Sequence, residues 1–312
     1  MDVLHYGFLK FPDCLLRDRD RPVKFMTLPS LHPCPVVAIL SHEIEMNAMT
    51  RESIHPSDFR DLPAWLWLWL PLILLIASYL GALPGKVFYE RYFGGEAGIV
   101  EVLTLLFLFT AAAFGVRALF AIRRWGDWRL FTWVVLFILG CVYYAGEEAS
   151  WGQHLAGWDT PGRWADMNDQ AETNIHNLTG IGLVFDQLPR NLLTLAVFIG
   201  GVVMPLWRRY KRRALDPEHL PYWLWPTMVC LPAAMLAVFI SVPEKVLEAL
   251  GFKDLPLLNI SAGETKELYL GLFLMLYILS MNRRLRQILR WRSGQSLTAT
   301  RLMESAQTRG DL

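Results

Sequence analysis

Ionisable and amide side chains are concentrated in residues 146–177 of this chain. The acidic and imidazole groups of this stretch are Glu147, Glu148, His154, Asp159, Asp166, Asp169, Glu172 and His176. Imidazole and carboxylate groups together are typical ligands of Zn, Fe or Mn, and carboxylates with amide oxygens suit Ca or Mg. A carboxylate beside a metal-bound water also serves as a general base. The stretch therefore indicates where the protein acts, without indicating its substrate.

Helical spacing groups these residues further. Side chains at positions i, i+3 and i+7 lie on one face of an α-helix. The two sets with this spacing are Glu147, Ser150 and His154, and Asp169, Glu172 and His176. Each set shares a face only if its own segment is helical. Glu172 and His176 alone would then place a carboxylate and an imidazole on adjacent turns.

Three roles are predicted for the polar residues. The residues predicted to bind a metal ion or to move protons are Glu147, Glu148, Glu172 and His176. The residues predicted to bind or orient a substrate are Trp151, Gln153, Asn168, Asp169, Asn174 and Asn177. The predicted ligands of a divalent cation are Glu101, Glu147, Glu172, His176, Glu264 and Glu267.

Plainer interpretations remain open for the same residues. Glu147 and Glu148 could mark a helix end that meets water, and His154 could be an interfacial imidazole. The asparagines of the stretch could brace a loop through side-chain-to-backbone hydrogen bonds. Glu264 and Glu267 could be first-turn acids favoured by the helix dipole. The tryptophans could be anchors at the membrane interface.

The composition indicates a membrane protein. The chain has 312 residues, of which 54% are hydrophobic and 19% are charged, whereas soluble domains average about 45–50% apolar and about 25% charged residues. The apolar residues form runs close to the ~20 residues that cross the hydrocarbon core. These runs are residues 63–83, 99–122, 130–149, 188–207, 221–242 and 262–281. The predicted fold class is all-α, a polytopic membrane bundle of about six transmembrane helices.

The distribution of Lys and Arg predicts the orientation of this bundle. Basic residues cluster in 123–129, 208–213 and 283–292, and these clusters alternate with loops that are poor in Lys and Arg. Because cytoplasmic loops carry such an excess, both termini are predicted to be cytoplasmic. The loop 150–187 then lies outside, which in a bacterium is the periplasm. The predicted localisation is the bacterial inner membrane.

Carboxylates at the outer ends of three spans share one membrane face in this topology. They are Glu96 and Glu101, Glu147 and Glu148, and Glu264 and Glu267. The apolar run 268–281 covers only ~21 Å of helix, so Glu264 and Glu267 are drawn into the interface. Ionised carboxylates at that depth need a partner, and Arg163 and Arg190 are candidates. We therefore predict one acidic site at the periplasmic face.

The two ends of the chain differ from the six-span region 49–282. Residues 1–48 lack any helical or strand period, which predicts either a start at Met46 or Met49 or a disordered cytoplasmic tail. Residues 283–312 are predicted to form a basic cytoplasmic tail. Its first part, 283–292, would lie on anionic lipid as an interfacial helix, and disorder is expected from Ser293. Since this charge adjoins a membrane span, nucleic acid is not an expected partner.

The chain resembles a family of bacterial polytopic inner-membrane proteins in two motifs. The family patterns EExSWGQ and NDQxETNxHN correspond here to GEEASWGQ and NDQAETNIHN, and EAGIVEVLT at 96–104 also agrees. The resemblance implies that one site contains Glu147, Glu148, Gln153, Asn168, Asp169, Glu172, Asn174 and His176. It implies no activity. The family pattern has a basic residue where this chain has His154.

Two classes of function agree with these patterns. The first is a metal-dependent hydrolase or transferase that acts on a membrane lipid or a lipid-linked substrate. The second is a cation- or proton-coupled transporter or channel component, although a transporter site is expected near the midplane and these polar groups gather at one face. A structural membrane subunit with an acidic docking loop is a third interpretation. The sequence contains no HExxH, GxSxG or Walker A motif to decide among them.

Overall fold

The computed structural model describes residues 61–95, 98–123, 126–168, 173–175, 182–211, 215–217, 219–251 and 260–310. Its longer helices are α1 (Trp65–Ala82), α2 (Lys86–Tyr92), α3 (Ile99–Arg123) and α4 (Trp128–Glu148). Two short helices, α5 (Gln153–Ala156) and α6 (Gly162–Ala165), follow α4. Next, α7 comprises Gly182–Val197, a π-helical Phe198–Val203 and Met204–Tyr210. Finally, α8 comprises Leu220–Leu224, Leu231–Phe239 and Val242–Ala249, and α9 is Ala262–Gly310.

Regular secondary structure in these ranges is helical, and five helices are long and apolar enough to cross a membrane. They are Trp65–Ala82, Ile99–Arg123, Trp128–Glu148, Gln187–Tyr210 and Leu220–Ala249. The prediction of an all-α protein is confirmed for these ranges, and the five candidate membrane-spanning helices are consistent with the predicted membrane bundle. The expectations for residues 1–48 lie outside the described residues.

The sixth predicted span, 262–281, forms the first part of α9 but is not among these five helices. Its apolar run is short because Lys266 and Glu267 precede it and Asn282 follows it. The run itself is enclosed by protein: no residue of 268–281 is exposed, and most are buried. It packs mainly on α3 and α8. The five helices given above carry exposed apolar side chains instead, such as Leu106 on α3 and Leu136 on α4.

Helix α9 does not stop at the basic cluster. It continues without a break to Gly310, where the sequence predicts a disordered tail from Ser293. Residues 293–309 contain no proline and are rich in Leu, Ala, Arg, Gln, Met and Glu, which have high helix propensity. Once the preceding helix exists, each further residue adds one hydrogen bond without a new nucleation step.

Helix α8 is broken near its start. Trp225, Pro226 and Thr227 are extended or non-helical between Leu224 and the turn that precedes Leu231. The Tyr277 hydroxyl lies 3.1 Å from the carbonyl oxygens of both Trp223 and Leu224, so it replaces the helical donors that the break removes. Backbone breaks at membrane depth are tolerated where such partners exist.

Contacts between side chains define the two ends of the bundle. At one end, Asp61 accepts hydrogen bonds from Thr227 of α8 and Ser280 of α9. At the other end, Arg190 near the start of α7 pairs with Glu267 near the start of α9. Since Ser280 and Glu267 are 13 residues apart on α9, these two contacts lie about 20 Å apart along that helix.

Gly201 marks a tight contact between helices in this bundle. A Cβ at Gly201 would lie 2.6 Å from Phe273 Cε2 and 2.7 Å from Ala234 Cβ. Since all three helices are packed at this point, we expect Gly201→Ala to lower the free energy of unfolding by about 1–3 kcal/mol. Thermal unfolding in detergent measures the change. Gly140→Ala is the matched control, because nothing lies within 4 Å of its added Cβ; an equal loss in both variants would contradict the packing argument.

Candidate functional site

A polar cluster lies where α4, α7 and α9 meet. Arg190 Nη1 lies 3.0 Å from Glu267 Oε1, and the side chain of Glu267 is only 10% exposed. The carboxyl group of Glu148 interacts directly with that of Glu267, and Glu101 is near enough to add its charge. The sequence-based expectation that Arg190 pairs with an acid of this face is thus confirmed for Glu267.

Tyr144 contributes a hydroxyl to the same cluster. Its Oη atom is buried and makes no hydrogen bond, although it lies close to Glu148, Glu267 and Arg190. A buried hydroxyl without a partner is costly, and such groups are few in native proteins. Tyr144 is not among the site residues predicted from the sequence. The signal was available, because Tyr144 and Glu148 are four residues apart and so lie on one face of α4.

A cavity of about 620 Å³ extends from this cluster between α4, α7, α8 and α9. Its polar end contains Tyr144, Glu147, Glu148 and Arg190, and its walls are otherwise almost entirely apolar. The opposite end is formed by Trp133 and the broken segment of α8. Because residues 133 and 148 of α4 line the two ends, the cavity is about 22 Å long at 1.5 Å per helical residue.

The cavity opens toward the surface that faces lipid. Leu136, Tyr143 and Ile199 lie along its edge, and each of these side chains is at least 40% exposed. They belong to two membrane-crossing helices, α4 and α7. Exposed apolar side chains at that depth contact lipid tails rather than water. The cavity is therefore a lateral groove with one polar end.

The chain reverses immediately after α4. Ser150 and Trp151 have φ angles of 45° and 55°, and Gly152 has a φ of 88°. These left-handed residues end the helix. Because α4 ends at Glu148, the condition under which Glu147, Ser150 and His154 would share a helical face is not met. The turn instead brings the Trp151 indole back to the end of α4. Its Nε1 donates a hydrogen bond to Glu147 Oε1 at 2.8 Å there.

Glu147 anchors the loop that returns to this turn. Its Oε2 accepts a hydrogen bond from the Ile175 backbone N–H at 2.6 Å, and the residue is only 3% exposed. Asn174 Nδ2 donates to Ser150 Oγ at 2.9 Å, and Asn168 Nδ2 donates to Asn174 Oδ1 at 2.9 Å. Asn168 and Asn174 therefore brace the loop, as the plainer interpretation of the asparagines expects for these two residues.

Gln153 connects two segments of the same loop by hydrogen bonds. Its Oε1 accepts from the Thr173 backbone N–H at 2.6 Å, and its Nε2 donates to Thr160 Oγ1 at 2.9 Å. The described residues Thr173, Asn174 and Ile175 are not helical. The condition under which Asp169, Glu172 and His176 would share a helical face is therefore not met at residues 173–175. Those three residues and Asn177 lie outside the described residues, so their predicted roles stay predictions.

Glu264 is held by a different neighbour from Glu267. Both of its carboxylate oxygens lie 3.2 Å from the Gly95 backbone nitrogen, in the connection between α2 and α3. A Cβ at Gly94 would lie 2.7 Å from Glu264 Oε2, so a side chain at this position would displace the carboxylate. Nearby Tyr89 is fully buried and contacts Thr265 Oγ1 at 3.3 Å. Burial raises the pKa of the Tyr89 hydroxyl above its ordinary value.

The described members of the predicted metal-ligand set thus have three different environments. Glu147 binds the loop, Glu267 pairs with Arg190 near Glu101, and Glu264 binds Gly95. Within the part of the chain that the structure describes, no group of three or more His, Cys, Asp or Glu side chains is arranged to hold a metal ion. Since Glu172 and His176 lie outside that part, the divalent-cation site stays a prediction.

A scan of protein-family models gives no match for this chain, and comparisons with curated proteins and with solved structures give none either.

Proposed function

We propose that this multi-pass membrane protein binds an amphiphilic lipid in the lateral groove and acts on its polar head at Glu148, Glu267, Arg190 and Tyr144. The observation that carries the proposal is that an apolar groove between membrane-crossing helices ends on this polar cluster. Ligand pockets typically combine apolar walls with a few convergent polar groups. A lipid or a lipid-linked molecule has the matching chemistry, with its tail in the groove and its head at the carboxyl groups.

The chemistry available at the cluster is proton transfer. Two adjacent carboxyl groups favour a state in which one is ionised and the other protonated. Arg190 supplies a positive charge that stabilises the ionised member, and the free Tyr144 hydroxyl offers a further hydrogen bond to a head group. One carboxyl group then acts as general base and the other as general acid in a hydrolysis or a group transfer. Glu172 and His176 are retained as candidate metal ligands for the same reaction.

We place this cluster at the periplasmic face of a bacterial inner membrane. The proposal includes six spans with both termini in the cytoplasm, so that 262–281 crosses the membrane inside the bundle. Two observations support it: the basic residues Arg208 and Arg284 lie at one end of the bundle, and Glu148 and Glu267 lie at the other. Positive charge marks the cytoplasmic side of membrane proteins.

A proton-coupled transporter is the second candidate function. The break of α8 at Trp225–Pro226–Thr227 favours it, because discontinuous helices line the substrate sites of many transporters. The position of the carboxyl cluster at one end of the groove, rather than near the midplane, favours the enzyme.

A blocked groove tests lipid binding. Ala196→Trp adds an indole at a residue that lines the groove, and Leu195→Trp adds the same group at an exposed neighbour outside it. We expect Ala196→Trp to reduce the lipid retained after detergent washing at least about tenfold, which corresponds to about 1.4 kcal/mol. Native mass spectrometry counts the retained lipid. Equal retention in the two variants would reject the groove as the binding site.

The Glu148→Gln variant distinguishes the proposed enzyme function from the proposed transporter function. An enzyme that has lost its carboxyl group is expected to accumulate the unprocessed lipid, so the head group retained by Glu148→Gln should differ from that retained by the wild type. A transporter is expected to retain the same lipid species in both. Tandem mass spectrometry of the extracted lipids identifies the head groups.

A further inference from the structure

Arg284 is a buried cation at the end of the bundle opposite to the carboxyl cluster. Only 4% of the residue is exposed. Its guanidinium group lies over the rings of Tyr222 and Trp223, at 4.9 Å and 5.6 Å from their centroids. Its Nη1 donates a hydrogen bond of 2.7 Å to the Tyr222 carbonyl oxygen. The side chain is therefore held firmly in one orientation.

Two further donors of Arg284 have no partner. Nε and Nη2 are both buried and make no hydrogen bond. These two nitrogens lie along one edge of the guanidinium plane, and their N–H groups point in parallel toward the same side. Such an edge matches two oxygens of a phosphate or a carboxylate in a bidentate contact. A buried charged donor without an acceptor is strongly unfavourable, so the unpaired edge indicates a ligand.

Arg208 of α7 adds a donor from a second helix. Its Nε atom is also buried without a hydrogen-bond partner, and its charge is close enough to repel that of Arg284. The nearby carboxylate of Asp61 does not neutralise them by an ion pair. Its oxygens accept from Thr227 Oγ1 at 2.6 Å and from Ser280 Oγ at 3.1 Å. Two adjacent arginines without an anion repel each other, and one bound anion relieves this repulsion.

We propose that Arg284 and Arg208 form a binding site for a phosphate group. Arg284 Nε and Nη2 hold two phosphate oxygens, and Arg208 Nε donates to the same group. The membrane favours a lipid head group as the source, because the neighbours of Arg208 include Leu206 and Trp207, which are 45% and 44% exposed. Basic pockets between transmembrane helices bind lipid head groups in this way. A free phosphorylated solute shares the chemistry.

The test uses the full chain, washed free of lipid in a phosphate-free maltoside detergent. Dioctanoyl phosphatidic acid, inorganic phosphate and dioctanoylglycerol are titrated separately, and the melting temperature is followed. We expect phosphatidic acid to raise the melting temperature. Dioctanoylglycerol, which has the same tails without the phosphate, should not raise it. A comparable rise with inorganic phosphate would support the site and identify its ligand as a free phosphate group.

Arginine variants locate the effect. Arg284→Gln is expected to weaken the apparent affinity for phosphatidic acid at least about tenfold, since it removes the charged bidentate contact. Arg290→Gln is the matched control, because Arg290 is exposed on the same helix. The affinity of this variant for phosphatidic acid should stay within about twofold of the wild-type value. If Arg284→Gln does not fold, Arg208→Gln serves as the second variant and should show the same selective loss. Equal losses in the site variants and Arg290→Gln, or no response to either phosphate compound, would overturn the proposal.

Discussion

Replacing Glu147 by alanine is expected to release the loop that follows α4. The variant removes two hydrogen bonds to a buried carboxylate, one from Trp151 Nε1 and one from the Ile175 backbone. Hydrogen bonds to charged groups contribute about 1.5–3 kcal/mol each, so the free energy of opening the loop should fall by about 3–6 kcal/mol. Limited trypsin digestion at the exposed Arg163 measures this opening. The cleavage rate should rise at least about a hundredfold.

Two controls show whether the carboxylate itself is responsible. Glu147→Gln keeps one acceptor oxygen, so its cleavage rate should fall between those of wild type and Glu147→Ala. Glu90→Ala removes an exposed acid that pairs with Lys86 at 3.6 Å, and it should change the rate little because exposed pairs contribute about 0–1 kcal/mol. Wild-type cleavage in Glu147→Ala would show that the loop does not depend on this anchor.

Removal of Arg190 is expected to have the second large effect. Arg190→Met removes the cation that pairs with Glu267 and lies beside the carboxyl group of Glu148. Breaking a buried ion pair costs about 3–5 kcal/mol, and the 33% exposure of the Arg190 side chain lowers the expected loss to about 2–4 kcal/mol. Thermal unfolding at neutral pH measures it.

A double-mutant cycle tests the coupling. In Arg190→Met/Glu267→Gln the uncompensated charge is gone, so part of the lost stability should return. If the loss of stability in the double variant equals the sum of the losses in the two single variants, the two side chains are not coupled. Lys86→Met is the control for losing a cation from an exposed pair, and it should stay within about 1 kcal/mol of wild type.

Hydropathy predicts the membrane-crossing helices closely. The predicted span 99–122 corresponds to Ile99–Arg123, and the predicted span 130–149 to Trp128–Glu148. The agreement follows from one constraint, since a helix in contact with lipid needs about 20 apolar residues. The break of α8 was missed because it depends on a distant partner, Tyr277, whose hydroxyl replaces the lost backbone donors. Pro226 was the local signal.

The grouping of acids at one end could be predicted, but the partner of each acid could not. Glu148 and Glu267 meet because their helices end at the same face, which the charge pattern indicates. Glu147 is only one residue from Glu148, yet it turns toward the loop. That separation depends on the left-handed Ser150 and Trp151, and neither residue type favours this conformation. No local pattern therefore predicts the anchor.

The enclosure of residues 268–281 affects how the protein is made. The translocon releases a segment into lipid according to its apolarity, and this segment has Lys266 and Glu267 at one border and Arg283 and Arg284 at the other. Its buried side chains find their apolar surroundings in α3 and α8, which are synthesised earlier. In the proposed six-span topology, the last crossing is therefore expected to complete during tertiary folding, with the earlier helices acting as its solvent.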